Sequence, residues 1–145
     1  MKCISLWQIW AELVRRGLKL NETRSWPLPQ SMIDKPLAIH AAKLKFDPGH
    51  YGDIFCRQLL DDGAMAKPLI YGAVLCVVHP AESVPTEQVR SGLSRRELLY
   101  GNYEDARFAW PFQDVRVLPK PIPLTGRQGI FDWPEGDEIY REYLW

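Results

Sequence analysis

The chain has little cysteine and spends it without pattern. Cys3, Cys56 and Cys76 are far apart, odd in number and form no Cys-x-x-Cys pair. That excludes a zinc knuckle and a disulfide framework and leaves reduced thiols. Histidine is also scarce, and His40, His50 and His79 show no ligand spacing, so no metal site is expected. Long apolar runs are missing too. None approaches the ~20 residues of a membrane span, and the N-terminus lacks the apolar stretch and small-residue cleavage site of a signal peptide. A soluble, cytoplasmic protein in a reducing compartment, with no membrane partner, is the expectation. No phosphate-binding glycine loop, nucleophile elbow, repeat or low-complexity tract is present. Nucleotide hydrolysis and acyl transfer by those routes are thereby disfavoured, and no cofactor is implied.

Net charge is absent as well, with 18 Lys/Arg against 18 Asp/Glu, so no global basic excess advertises nucleic acid. The distribution is uneven, however. Residues 1–45 hold eight Lys/Arg against three Asp/Glu, and the remainder holds ten against fifteen. Such asymmetry can mark a surface that meets an anionic partner, although a neutral protein can also place its charges unevenly. At 145 residues and 46% hydrophobic, the chain can bury one sizeable core but not two, so residues 1–145 read as one domain.

Ser5-Leu6-Trp7-Gln8 has the form of a capping box, with Ser5 at the N-cap, and predicts a helix start. Trp10, Leu13 and Val14 then recur at helical spacing, with Glu12, Arg15 and Arg16 off that stripe, and Gly17 supplies the stop. Leu18 to Trp26 reads as an irregular strand. Simple alternation puts Lys19 on the face opposite Glu22 and Arg24, so their joint action requires a turn, with Asn21 as the pivot. Residues 27–36 read as a surface loop and 36–42 as a compact strand. Residues 50–62 suggest a helix with Ile54, Phe55, Leu59 and Leu60 on its apolar face. Residues 69–78 form the longest apolar run and predict a central strand. Residues 85–90 suggest a helix capped by Thr86 or Ser83, with 95–100 continuing it. Arg107 to Leu118 predicts a strand in which Pro111 argues for an edge or a bulge. Pro119, Pro121 and Pro123 suggest an extended crossing, 126–131 a last short strand or turn, and 139–145 a terminal helix. The pattern is α+β, mostly β: a curved mixed sheet or small barrel with flanking helices.

Several of these blocks together resemble a known domain. They are Ser5-Leu6-Trp7-Gln8; Gly17-x-Lys19-x-x-Glu22-x-Arg24-Ser25-Trp26; residues 36–43; Gly72-Ala73-Val74-Leu75; Arg107-Phe108-Ala109-Trp110; and Gly129-Ile130-Phe131-Asp132-Trp133. In this order they resemble the activating-signal-cointegrator homology (ASCH) domain over nearly the whole chain. Ile9 is one departure, standing where many relatives have proline. The resemblance implies a PUA-like β-barrel, a fold shared with RNA-binding domains of pseudouridine synthases and archaeosine transglycosylases and with modified-base readers. It also implies RNA or DNA binding in a cleft beside the first helix.

On that reading Lys19 and Arg24 offer charge-assisted hydrogen bonds to phosphate or base acceptors, and Glu22 accepts from a base amino group or holds the cations in place. The bland reading of the same three residues is an ion-pair staple between helix end and strand. His40 is either a packed core histidine or a cleft residue acting with Lys43. Trp7, Trp26, Phe108 and Trp110 are mostly core, since six tryptophans in a small domain must largely be buried. Trp26 and Trp110 are the candidates for stacking on an unpaired base, with Tyr103 at the rim. The leading expectation is a module for single-stranded RNA or a modified nucleotide. A nucleoside- or RNA-acting hydrolase is the alternative, and a protein-interaction module in transcriptional or translational control a third. The resemblance bears on the hydrolase through fold relatives that cleave N4-acetylcytidine with a Lys, a Thr three residues later and a distant Glu; here Lys19 is followed at that spacing by Glu22. A metal-dependent ribonuclease, also proposed for such proteins, needs converging ligands that the sequence does not display.

Overall fold

A computed structural model describes all 145 residues. Seven strands form one curled mixed sheet, a half-barrel flanked by helices. They are β1 (Lys2–Leu6), β2 (Asn21–Arg24), β3 (Leu37–Ala41), β4 (Ala73–Pro80), β5 (Val84–Pro85), β6 (Phe108–Pro123) and β7 (Ile130–Asp132). The helices are α1 (Trp10–Arg15), α2 (Asp53–Asp61), α3 (Thr86–Val89), α4 (Arg95–Leu99) and α5 (Gly136–Tyr143). Strand order is β2-β6-β4-β3-β1-β7, with β5 also on β6. Only β1 and β3 run parallel, from Lys2 opposite Leu37 to Leu6 opposite Ala41, and the chain between them supplies α1 and β2 as the crossover.

The central strands explain their own composition. All five residues of β3 are buried, as are seven of the eight in β4, because both sheet faces are covered. A strand covered on both sides reads as a continuous apolar run, as residues 69–78 do. Neighbouring residues go to opposite faces. Ile4, Ile39 and Val78 join Trp110 and the α1 residues Ala11 and Val14, whereas Cys3, Ala38 and Val77 join Phe131, Trp133 and Tyr140. A third cluster of Ile9, Leu13, Phe55, Leu59 and Tyr100 locks α1 to α2 and α4.

Several local expectations are corrected. Ser5 is not a helix cap: it lies within β1, opposite His40 of β3. Sheet pairing on both edges of β1 outweighs the local capping preference. Gln8 instead serves α1, its Oε1 accepting from the Glu12 N–H at 2.9 Å while its Nε2 donates to the Ile70 carbonyl at 2.7 Å. Glu12 is buried rather than solvated, because Arg15 and Arg16 both donate to it. Gly17 ends α1 as expected, with φ of +70° and the Leu18 and Gly17 N–H groups returning to the Leu13 and Val14 carbonyls.

Asn21 is not a pivot but the first residue of β2, paired with Pro111, and the irregular backbone occupies residues 18–20. On α2, Phe55 and Leu59 are buried but Ile54 and Leu60 face solvent. Neither Thr86 nor Ser83 caps α3. The Thr86 hydroxyl donates to the Glu104 carbonyl, and Ser83 Oγ accepts from the Leu28 N–H. Pro111 is not on an edge, since β6 lies between β2 and β4. The proline run is absorbed by a register shift, with Val117 opposite Cys76 and Ile122 opposite Val74, so that Pro119, Lys120 and Pro121 bulge from the ladder.

Candidate functional site

The start of α1, strand β2 and the turn before β7 surround an open cleft of about 650 Å³. One wall is aromatic, with Trp7, Trp10 and Trp26; another is β2, with Glu22, Thr23 and Arg24; Arg107, Arg127 and Gln128 complete it. A recess of about 430 Å³ continues past Glu22 and Thr23 to Lys19 and the Tyr100–Asn102 backbone. The cleft owes its position to two devices already described. Gln8 fixes the start of α1 and so places Trp7 and Trp10, and the pairing of β2 with β6 sets Glu22 opposite Trp110 and Arg24 opposite Phe108.

Lys19, Glu22 and Arg24 come together as both a staple and a cleft wall. Glu22 accepts from the Thr23 N–H at 3.0 Å and from Arg24 Nη2 at 3.2 Å, and its Oε1 lies 4.0 Å from Lys19 Nζ. Lys19 is buried, donates to the Tyr100 carbonyl at 2.5 Å, and has its ammonium 5.5 Å from the Trp10 ring centroid. Burial pulls its pKa below the usual lysine value, against the opposing pull of Glu22 and Glu97. Arg107 ties the far side to β2 by donating to the Thr23 carbonyl at 3.1 Å and the Asn102 carbonyl at 3.2 Å.

Beneath the floor lies a second network. Glu97 accepts from the Leu20 N–H and from the Tyr103 hydroxyl, and that hydroxyl accepts in turn from Asn21 Nδ2. Burial raises the Glu97 carboxyl, and the same enclosure raises the Tyr103 phenol. These contacts correct the expectation for Tyr103, which is a buried strut and not a rim contact. Trp110 is corrected likewise. It is fully buried, with its indole N–H on the Trp26 carbonyl and its ring edge-on to Trp26 at 4.7 Å, so it cannot stack on a base.

Trp26 is half-buried and does line the cleft. His40 is fully buried and does not reach the main cleft; with exposed Lys43 it belongs to a smaller adjoining recess. Sequence reasoning missed Trp7, Trp10, Thr23, Arg107, Arg127 and Gln128 as lining residues. Trp7, expected in the core, is 58% exposed. Its signal was available, since Trp7 and Trp10 lie three apart beside the glutamine that organises the helix start. No group of three His, Cys, Asp or Glu side chains converges anywhere in the chain. No helix is long and apolar enough to cross a membrane.

The chain is thus a curled mixed sheet with a polar cleft beside its first helix. No protein-family model and no curated protein matches the chain. Solved structures do. The ASCH protein of Zymomonas mobilis superposes with a TM-score of 0.58 over 97% of this chain and 93% of that one, at 18% identity. Two single-substitution variants of that protein give TM-scores of 0.58 and 0.55 at 17% identity, covering 98% and 97% of this chain and 95% and 94% of theirs. The chain has the ASCH-domain fold.

Proposed function

We propose that the cleft binds single-stranded RNA or a modified nucleotide. The observation that carries this is a tryptophan, Trp7, left 58% exposed in the same open cleft as three arginines and a single carboxylate. An exposed indole in a cationic cleft is what base stacking next to an anionic backbone requires. The ASCH-domain fold agrees with a nucleic-acid partner. An intracellular setting goes with the same reading, since all three cysteines are free thiols.

Arg24 is the residue to test. Its side chain is 28% exposed and shares Glu22 with the Thr23 N–H, so truncation leaves Glu22 partnered and the strand paired. Arg24→Ala is expected to weaken binding of single-stranded RNA and lower its salt dependence while the unfolding midpoint holds. Unchanged affinity, or loss of the fold, defeats the assignment.

A hydrolase reading draws on one observation, the buried Lys19 held 4.0 Å from Glu22 at the floor of the recess with its pKa lowered by burial. Incubation with N4-acetylcytidine and with RNA, with and without magnesium or manganese, decides it. Absence of product, with Lys19→Ala indistinguishable from the parent, eliminates this reading.

A further inference from the structure

Two of the three arginines that line the main cleft, and Lys19 in the recess behind it, are already committed within the protein. Arg24 donates to Glu22, Arg107 to the Thr23 and Asn102 carbonyls, and Lys19 to the Tyr100 carbonyl. Two others differ. Lys43 and Arg127 are exposed, neither is paired with a carboxylate, and both line a recess of about 320 Å³ in which no Asp or Glu takes part. Thr125 and Gln128 add neutral donors there. The recess opens beside the main cleft, since Ser5, Ala42, Arg127 and Gln128 line both.

The frame of this recess is rigid on one side. His40 Nε2 lies 2.6 Å from the Leu124 carbonyl, which can only accept, so the ring proton sits there. Nδ1 then accepts from the Ser5 hydroxyl at 2.5 Å. That fixes Leu124, the residue from which the turn to Arg127 departs. Gly126 presses onto the same pair, because a Cβ there would fall 2.5 Å from Ser5 Oγ and 2.7 Å from His40 Cε1. On the other side the stem of Lys43 lies across Gly72, whose φ of +67° and lack of a side chain admit it. With the Ser5 proton given to His40, the donors left for a ligand are Lys43, Arg127, Thr125 and Gln128.

Resting on the binding reading above, we infer that this recess is a phosphate subsite. It takes a backbone phosphate adjoining the nucleotide held in the main cleft, and the ligand class is therefore a polynucleotide chain rather than a free nucleoside. Unpaired cations facing no carboxylate favour a phosphodiester, and the shared border places it next to the stacked base.

The test measures a mixed-sequence single-stranded RNA decamer by fluorescence anisotropy over a salt series, and a mixture of the four ribonucleosides by thermal shift. Parent, Lys43→Ala, Arg127→Ala and, as a cleft control, Arg24→Ala are compared. Lys43→Ala and Arg127→Ala are each expected to weaken the decamer about tenfold and to reduce the salt slope by roughly 0.7. The Lys43→Ala response to nucleosides should equal the parent's, since Lys43 lines the recess and not the main cleft. Decamer affinity and salt slope unchanged in both variants, while Arg24→Ala weakens binding, overturns the subsite and leaves the cleft standing. A parent that binds neither probe overturns the cleft reading and the subsite with it. Both residues are exposed, and unfolding midpoints equal to the parent's exclude a folding effect.

Discussion

Trp7 and Trp110 lie on opposite sides of one question, which tryptophan meets a ligand and which holds the domain together. Trp110 is fully enclosed, spends its N–H on the Trp26 carbonyl and packs edge-on against Trp26. Truncation to alanine removes an indole from a close-packed core and leaves that carbonyl without its donor. The cost is about 3–5 kcal/mol, a large part of the roughly 5–15 kcal/mol that stabilises a domain of this size. Trp7 is 58% exposed, so Trp7→Ala should shift stability by about 1 kcal/mol or less. Its loss should fall on binding instead. Stacking of one base contributes about 1–3 kcal/mol, or roughly 5- to 150-fold in affinity. Urea unfolding and RNA anisotropy on the two variants separate the effects. Trp7→Ala binding RNA within twofold of the parent, or Trp110→Ala unfolding within 1 kcal/mol of it, would refute the assignment of roles.

Other outcomes follow from the buried titratable groups. Burial, with Lys43 nearby adding to it, holds the His40 pKa below 6.5 despite the Leu124 hydrogen bond. The folded state thus binds this proton less readily than the unfolded chain. Its contribution is present above pH 6.5 and lost as pH falls through the folded value. Urea midpoints at pH 7.5 and pH 5 should therefore fall more for the parent than for His40→Gln, and equal slopes would count against a neutral, buried imidazole. Cys3 and Cys76 are fully buried with their thiols pushed up to about 12. Iodoacetamide at pH 8 should modify Cys56 alone in the folded protein and all three cysteines in urea, as read by intact mass.

The sequence was most legible where one physical cause dominated. Strands β3 and β4 are covered on both faces, so their apolar runs carried the signal unaided. Gly17 ended α1 because a left-handed residue was required there. Reading failed where distant partners decided. Ser5 and Gln8 have the chemistry of a capping box, yet β3 and β7 draw the segment into the sheet, and only Gln8 keeps a capping role, one turn later. Phe55 and Ile54 are both large and apolar, but only Phe55 meets Trp10, Tyr51 and Tyr100, so periodicity misjudged the α2 face. In the site, the Lys19, Glu22 and Arg24 cluster was visible because its members are adjacent in the chain. Arg127 and Gln128 were not, because nothing local to residues 124–129 reveals that His40 fixes where their turn begins.

The sixteen-residue strand β6 carries a kinetic consequence. Its first four residues pair with β2 and form the base of the cleft wall, while the rest runs as a neighbour of β4 through the centre of the domain. The wall strand β2 is thus tied through all four of its residues to the strand that runs through the centre of the sheet. On the binding reading proposed above, a ligand would meet a wall already ordered by that pairing, with little conformational entropy left to lose on arrival. Association should be limited by electrostatic encounter and not by a gating motion, and differences between ligands should appear in how fast they leave.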